Sequence, residues 1–231
     1  MAMATAPTWF TVVSWVFIGL GLLCAAMILY DVFGRGYRQR IGAMEAVWPI
    51  TAIYFGPLAL LAYYRWGWGR PQSRKWQEEH GDPPKKSLPA EAATGATPCG
   101  AASFLAHLVA VPLVVLLGLT IAGRGIWPMI ILIAVLALPL LLAFEYFSST
   151  VPGRGLSTGK GLGVALLIAA VTVIAFDAGM GAAMIFVHFV LMFPPTEIAF
   201  WFVMQIGLIL GFLTTYPVVL WLVRRGTKEA V

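Results

Sequence analysis

The sequence predicts an all-α bundle of transmembrane helices, and three observations carry that prediction. The chain has 231 residues, of which 60% are hydrophobic and only 11% charged, whereas soluble domains carry about a quarter charged residues. Its mean hydropathy is +0.87. Its apolar residues are gathered into runs of about 20 or more, the helix length that spans a hydrocarbon core of about 30 Å. Inside that core a segment must satisfy its own backbone, so helix is the default. A soluble fold of this size could not bury so much apolar surface. The net charge of +5 does not indicate nucleic acid, because the basic residues flank the apolar runs, where they set orientation.

Six runs are expected as spans. The first is Trp9–Tyr30, closed by Asp31, Arg35, Arg38 and Arg40. No basic residue precedes it and it is long enough to span, so it reads as a retained helix and not as a signal peptide. Leu22 and Leu23 before Cys24 argue against a lipoprotein cleavage site. The second run is Val47–Tyr64, with Pro49 and a kink expected at Gly56-Pro57, and Arg65, Trp66 and Trp68 anchor its end. Residues 69–98 are hydrophilic and proline-rich, and are expected as a cytoplasmic loop with a short helix around Ser73–His80.

The third run is Ala101–Ile121, containing Pro112, and a turn over 122–126 leads to the fourth, Trp127–Phe147. A Gly, Ser and Pro loop covers 148–160. The fifth run, Gly161–Phe193, would be about 50 Å of helix at 1.5 Å per residue. It must tilt, break or project into water. Pro194-Pro195 ends it, and the sixth run, Ile198–Val223, closes with Arg224 and Arg225. The expected organisation is 1–68 as two spans, 69–98 as the loop, and 99–231 as a four-helix region. Six spans place eleven basic residues on the side shared by both termini and four on the other; seven spans would give eight against seven. The positive-inside rule therefore favours six spans with both termini cytoplasmic.

Ionisable residues inside a membrane are functional candidates, because a charge there costs several kcal/mol. Asp177 lies midway along the fifth run. His188 follows eleven residues later and, at about 100° per residue, returns to within about 20° of the same direction. The two either share a cavity or make separate structural bonds. Met180, Met184, His188 and Met192 form a stripe at spacing four, which suits a soft metal such as Cu(I) or is ordinary filling of apolar space. Cys99, Ser103 and His107 begin the third run, with Cys99 and Ser103 on one face and His107 turned by about 80°. Cys24 and Cys99 are expected as free thiols. Glu145, near the end of the fourth run, is expected at an interface with no need of a partner. Glu197 is expected to cap the sixth helix, where an acid suits the positive dipole end. Gln205, Thr214, Thr215 and Tyr216 give that helix a polar side that glues helices together. Gly179 with Ala183, and Ala178 with Ala182, permit close packing of the fifth helix. No Walker, dinucleotide, zinc-protease or nucleophile-elbow motif is present.

Several stretches resemble a known family. Val47-Trp-Pro-Ile-Thr-Ala-Ile-Tyr-Phe-Gly-Pro57, Ala175-Phe-Asp-Ala-Gly-Met180 with His188, and Phe200–Ile206 through Thr215-Tyr-Pro217 to Arg224–Ala230 look like the bacterial domain-of-unknown-function family numbered 4396. The resemblance runs from about residue 45 to the end. The family pattern has a His-Cys-Gly-Ala-Gly-Cys stretch at the start of its central helix. Here Pro98-Cys-Gly-Ala-Ala-Ser103 stands in its place, keeping Cys99 and Gly100 but neither the histidine nor the second cysteine. Asp177 stands where the family pattern has a glutamine. A two-thiol metal or redox site therefore does not carry over. The resemblance implies a bacterial cytoplasmic membrane and supports architecture better than activity.

The leading functional expectation is a non-enzymatic accessory subunit of a larger membrane assembly, in contact with lipid and with other subunits or further copies. It needs no cofactor. The alternative is a transition-metal binding or transport protein using Asp177, His188, His107, Cys99, Met180 and Met184. A membrane enzyme with Asp177 and His188 as an acid–base pair is the third reading.

Overall fold

Helix forms along every apolar run, as expected for an all-α bundle. The structure, a computed structural model, describes residues 5–39, 41–67, 70–71 and 86–229. Helix α1 spans Thr8–Leu29 and loosens into a π-helical turn, Tyr30–Gly34. Helix α2 is Met44–Phe55 and α3 is Pro57–Ala62, followed by a π turn at Tyr63–Gly67. Helix α4 is Leu88–Leu117, α5 is Ile126–Ala143 with a π turn at Phe144–Ser148, and α6 is the short Thr150–Arg154. Helix α7 is Thr158–Phe186 with a π turn at Val187–Leu191, and α8 is Ile198–Arg224. Five helical stretches among the described residues, those built on α1, α4, α5–α6, α7 and α8, are long and apolar enough to cross a membrane.

The second apolar run is not one of them, and this corrects the six-span expectation. Gly56 adopts φ 57°, ψ −132°, a conformation open to glycine and closed to residues with a Cβ. Pro57 has no N–H to continue α2 and instead starts α3 at its first position. The chain does not kink there; it turns back. Trp48 at the start of α2 meets Tyr63 at the end of α3, ring to ring at 5.8 Å. Gly67 lies so close to the Trp48 indole that a Cβ would collide with it. Strands β1 (Tyr37–Arg38), before α2, and β2 (Arg70–Pro71), after α3, pair antiparallel. Both feet of the hairpin therefore stand at one end of the bundle. Its tip reaches the middle: Gly21, within α1, packs against the Ile53 carbonyl, and Phe55 meets Phe212 of α8 at 5.0 Å.

A re-entrant hairpin changes the connectivity of everything before it. At one end of the bundle the Ala6 N–H donates to Glu197 Oε2 at 3.2 Å, and the Arg124 guanidinium sits 4.8 Å over the Phe189 ring. At the other end lie the Asp31–Arg35 ion pair at 2.9 Å, the hairpin feet, and the segment after α8, where Arg154 Nη1 donates to the Thr227 carbonyl at 2.8 Å. The N-terminal and C-terminal segments thus occupy opposite ends, not the same one.

Three further boundaries move. Helix α4 begins at Leu88, so residues 88–98 are helix and not the end of the 69–98 loop. The alanines of this stretch favour helix, and Ala92 and Ala96 are fully buried in a cluster with Val219. The expected helix at Ser73–His80 lies outside the described residues. The fifth run is a single unbroken helix up to its π turn, ending where Met192 turns left-handed at φ 53°.

The most extensive packing is between α7 and α8. A Cβ on Gly179 would lie 2.6 Å from the Leu210 carbonyl oxygen, one on Gly211 2.7 Å from the Phe176 ring, and one on Gly207 2.6 Å from Met180 Sδ. Small residues let these backbones approach, and contact dispersion replaces the hydrophobic drive that lipid cannot supply.

Candidate functional site at the hairpin tip

The end of α2 inside the bundle leaves carbonyls without helical partners. Gln205 of α8 answers one of them, its Nε2 donating to Ile53 O at 2.9 Å. The next residue, Tyr54, is fully buried. Its hydroxyl rests on Gly100 of α4, where any Cβ would overlap it, and its ring stacks on Phe104 at 6.4 Å. Gly100, shared with the family pattern, is therefore glycine because the hairpin tip occupies its side-chain space.

Helix α4 turns Cys99, Ser103 and His107, at successive spacings of four, into the interior. Cys99 Sγ donates to the Thr172 carbonyl of α7 at 3.6 Å, and Thr215 Oγ1 of α8 reaches the same oxygen at 3.4 Å. His107 Nδ1 bonds the Ser103 carbonyl at 2.8 Å. Donation to a carbonyl places the proton on Nδ1 and leaves Nε2 as an acceptor. Four buried side-chain atoms at this centre have no hydrogen bond: Tyr54 Oη, Ser103 Oγ, His107 Nε2 and Gln205 Oε1. A buried polar atom left unpaired costs about 1–3 kcal/mol. None of the four carries a formal charge with the proton so placed. They comprise two hydroxyls and two acceptors.

The candidates named from the sequence are distributed over several places. Cys99 and His107 belong to this centre. Asp177 is half-buried midway along α7. His188 lies in the π turn at the far end of α7, edge-on to Phe189 at 5.0 Å. The α-helix continues unbroken to Phe186, so the π turn begins only one residue before His188. Among the described residues no group of three or more His, Cys, Asp and Glu is placed to hold a metal ion. Met180 fills the space over Gly207, and Met184 is buried. Gly179 and Ala183 face α8, whereas Ala178 and Ala182 are exposed on the outside of the bundle. Glu197 precedes α8 but makes no capping bond with its side chain; the carboxylate instead holds the Ala6 N–H. Cys24 is a buried free thiol, as is Cys99.

Glu145 corrects its expectation outright. It is fully buried and paired with Lys228, whose ammonium it binds directly. Its second oxygen accepts from Thr150 Oγ1 at 2.6 Å, and the Glu229 N–H donates to the same hydroxyl at 3.2 Å. This clasp ties the segment after α8 to the α5–α6 corner. Eighty-three residues separate its two charges, so no spacing in the sequence announced the pair. Tyr54 was also missed as a site residue; the Gly-Pro immediately beyond Phe55 was its only signal.

The sequence profile of a domain of unknown function, DUF4396, matches residues 90–228. The chain belongs to that family. The match takes in α4 to α8 and ends on Lys228; α1 and the hairpin, with the Val47–Pro57 stretch, lie outside it. No curated protein and no solved structure matches the chain.

Proposed function

We propose that this DUF4396 member is a multi-pass protein of the bacterial cytoplasmic membrane that binds and passes a small uncharged polar solute at the hairpin tip. The observation that carries this reading is the hairpin itself, a broken helix ending at mid-bundle beside four unpaired buried polar atoms. Non-helical backbone at membrane depth is tolerated where it is enclosed by protein or lines a polar cavity, and helix ends at the midplane are a recurrent way of building solute sites. The solute is uncharged because the unpaired atoms are neutral. Metal transport is set below this reading, because among the described residues no group of three or more His, Cys, Asp and Glu is placed to hold an ion.

The same geometry supports an orientation. Among the described residues, the end holding the hairpin feet, α6 and the residues after α8 carries ten of the eleven Lys and Arg residues, leaving Arg124 for the other end. Five crossings with the C-terminal segment in the cytoplasm and the N-terminal segment outside give a far larger contrast than eleven against four. Single cysteines introduced at Thr5 and Thr227 test it: an impermeant maleimide applied to intact cells labels Thr5→Cys and spares Thr227→Cys. The reverse pattern, or labelling of both, refutes the orientation.

The solute reading is tested in proteoliposomes by stopped-flow light scattering with water, glycerol and urea, and by internal pH with ammonia. At least one solute crosses faster than in protein-free vesicles, and Gln205→Leu and Ser103→Ala change that rate. Vesicles no more permeable than lipid alone across the panel sink the idea. A second reading, the non-enzymatic subunit of a larger assembly, is favoured by Trp15. It is 61% exposed at about 10 Å along α1, deeper than the interfacial belt where lipid-facing tryptophan gathers. A lone monomer in mild detergent, with no cross-linked partner in cells, disposes of that reading.

A further inference from the structure

A second feature of the hairpin lies on its other side. The arms α2 and α3 and the first half of α4 wall a groove over Phe212, lined from its mouth inward by Trp66, Trp48, Thr94, Thr51, Ala62 and Phe55 among others. Three threonines line it, but each hydroxyl bends back to its own helix: Thr51 Oγ1 to Val47 O at 2.8 Å, Thr94 Oγ1 to Ala90 O at 2.9 Å, and Thr97 Oγ1 to Thr94 O at 2.7 Å. Each threonine proton is held within its own helix, and the wall that faces the groove is almost wholly apolar. Such a wall gives no hydrogen bond to a polar solute and takes an apolar chain instead.

The groove also has a polarity along its length. Its lining reaches Trp66 at the hairpin feet, next to Arg65, which is exposed and makes no ion pair among the described residues. From Trp48 to Phe55 it descends about 10 Å, some two-thirds of one leaflet's share of a core of about 30 Å. A cation at the rim and a hydrocarbon channel below it are complementary to one molecule class, an anionic phospholipid.

We infer that this groove binds one acyl chain of an anionic phospholipid of the leaflet at the hairpin feet, with its headgroup at Arg65. The lipid braces the hairpin against α4 in place of the side chains that the small residues Ala59, Ala62 and Ala93 leave out.

The test is native mass spectrometry of the full-length protein, released from detergent in the presence of phosphatidylglycerol or of phosphatidylcholine with the same chains. One phosphatidylglycerol is retained per chain in preference to phosphatidylcholine. Ala93→Leu and Ala62→Leu, which fill the groove from opposite walls, each abolish the retention, and Arg65→Gln weakens it about fivefold. Equal retention of the two lipids overturns the proposal, and so does full retention in both filled variants. A photo-crosslinker at Leu58 that captures residues 68–85 of the same chain, or a second copy, in place of lipid also overturns it. The filled variants are judged only where their thermal unfolding matches the parent, and of the two the one that folds is sufficient.

Discussion

The family-matched part of the chain and the part before it hold together by different means. Helices α7 and α8 meet backbone to backbone through Gly179, Gly207 and Gly211, and the corner beside them is locked by the buried Glu145–Lys228 pair. Helix α1 and the hairpin instead join the rest through rings and a few polar bonds: Phe10 and Phe17 against Phe202 at 5.5 and 5.3 Å, Phe55 against Phe212, and Gln205 on Ile53 O. The first arrangement is stiff because backbones cannot yield and a buried charge cannot be left alone. The second rests mainly on ring contacts, with one close seat where Tyr54 meets Gly100 of α4. The fixed unit is the frame on which the hairpin is seated.

The largest expected effect breaks the frame. Lys228→Met strands the Glu145 carboxylate in the interior and destabilises the protein by about 3–5 kcal/mol, read as a fall in the thermal midpoint in detergent. Adding Glu145→Gln to it removes the stranded charge and recovers most of the loss. A single variant as stable as the parent would mean that the pair does not hold the corner. A smaller effect falls on the joint between the two regions. Gly100→Val drives a side chain into the Tyr54 hydroxyl, an overpacking cost of about 1–3 kcal/mol. Because the collision is with the Tyr54 hydroxyl, Tyr54→Leu in the same chain restores much of the stability while solute passage stays altered. If Tyr54→Leu gives no rescue, the contact is not where the strain falls.

The bundle was legible because apolar run length and helix length are tied by the thickness of a bilayer. Helix α1 was expected from Trp9 and begins at Thr8, and α8 was expected from Ile198 and begins there. The hairpin was not legible, although Gly56-Pro57 was seen. A kink and a reversal share the same local signal, and what separates them is whether the returning arm finds a partner. Here Trp48 and Gly67 supply it, and that contact is tertiary. The miscount of spans then propagated into the placement of the N-terminal segment. The polar centre was half legible: Cys99, His107 and Gln205 stood out as polar residues within apolar runs. That Gln205 meets the end of α2 and Tyr54 rests on Gly100 depended on the reversal. Asp177 and His188 lie on one stretch that is α-helical to Phe186, and His188 sits where it widens into the π turn.

The Glu145–Lys228 clasp has a bearing on the order in which the protein is made. Helix α5 enters the membrane with a carboxylate at its end, and the ammonium that neutralises it belongs to a segment that follows two later helices. Until α8 is in place, the Glu145 carboxylate lacks the ammonium that offsets its burial. The α5–α6 corner therefore cannot settle to its final depth before the last span is inserted. Biogenesis of the bundle has a late checkpoint, and a nascent chain arrested after α7 would present that corner as an exposed acidic site to whatever surveys unassembled membrane proteins.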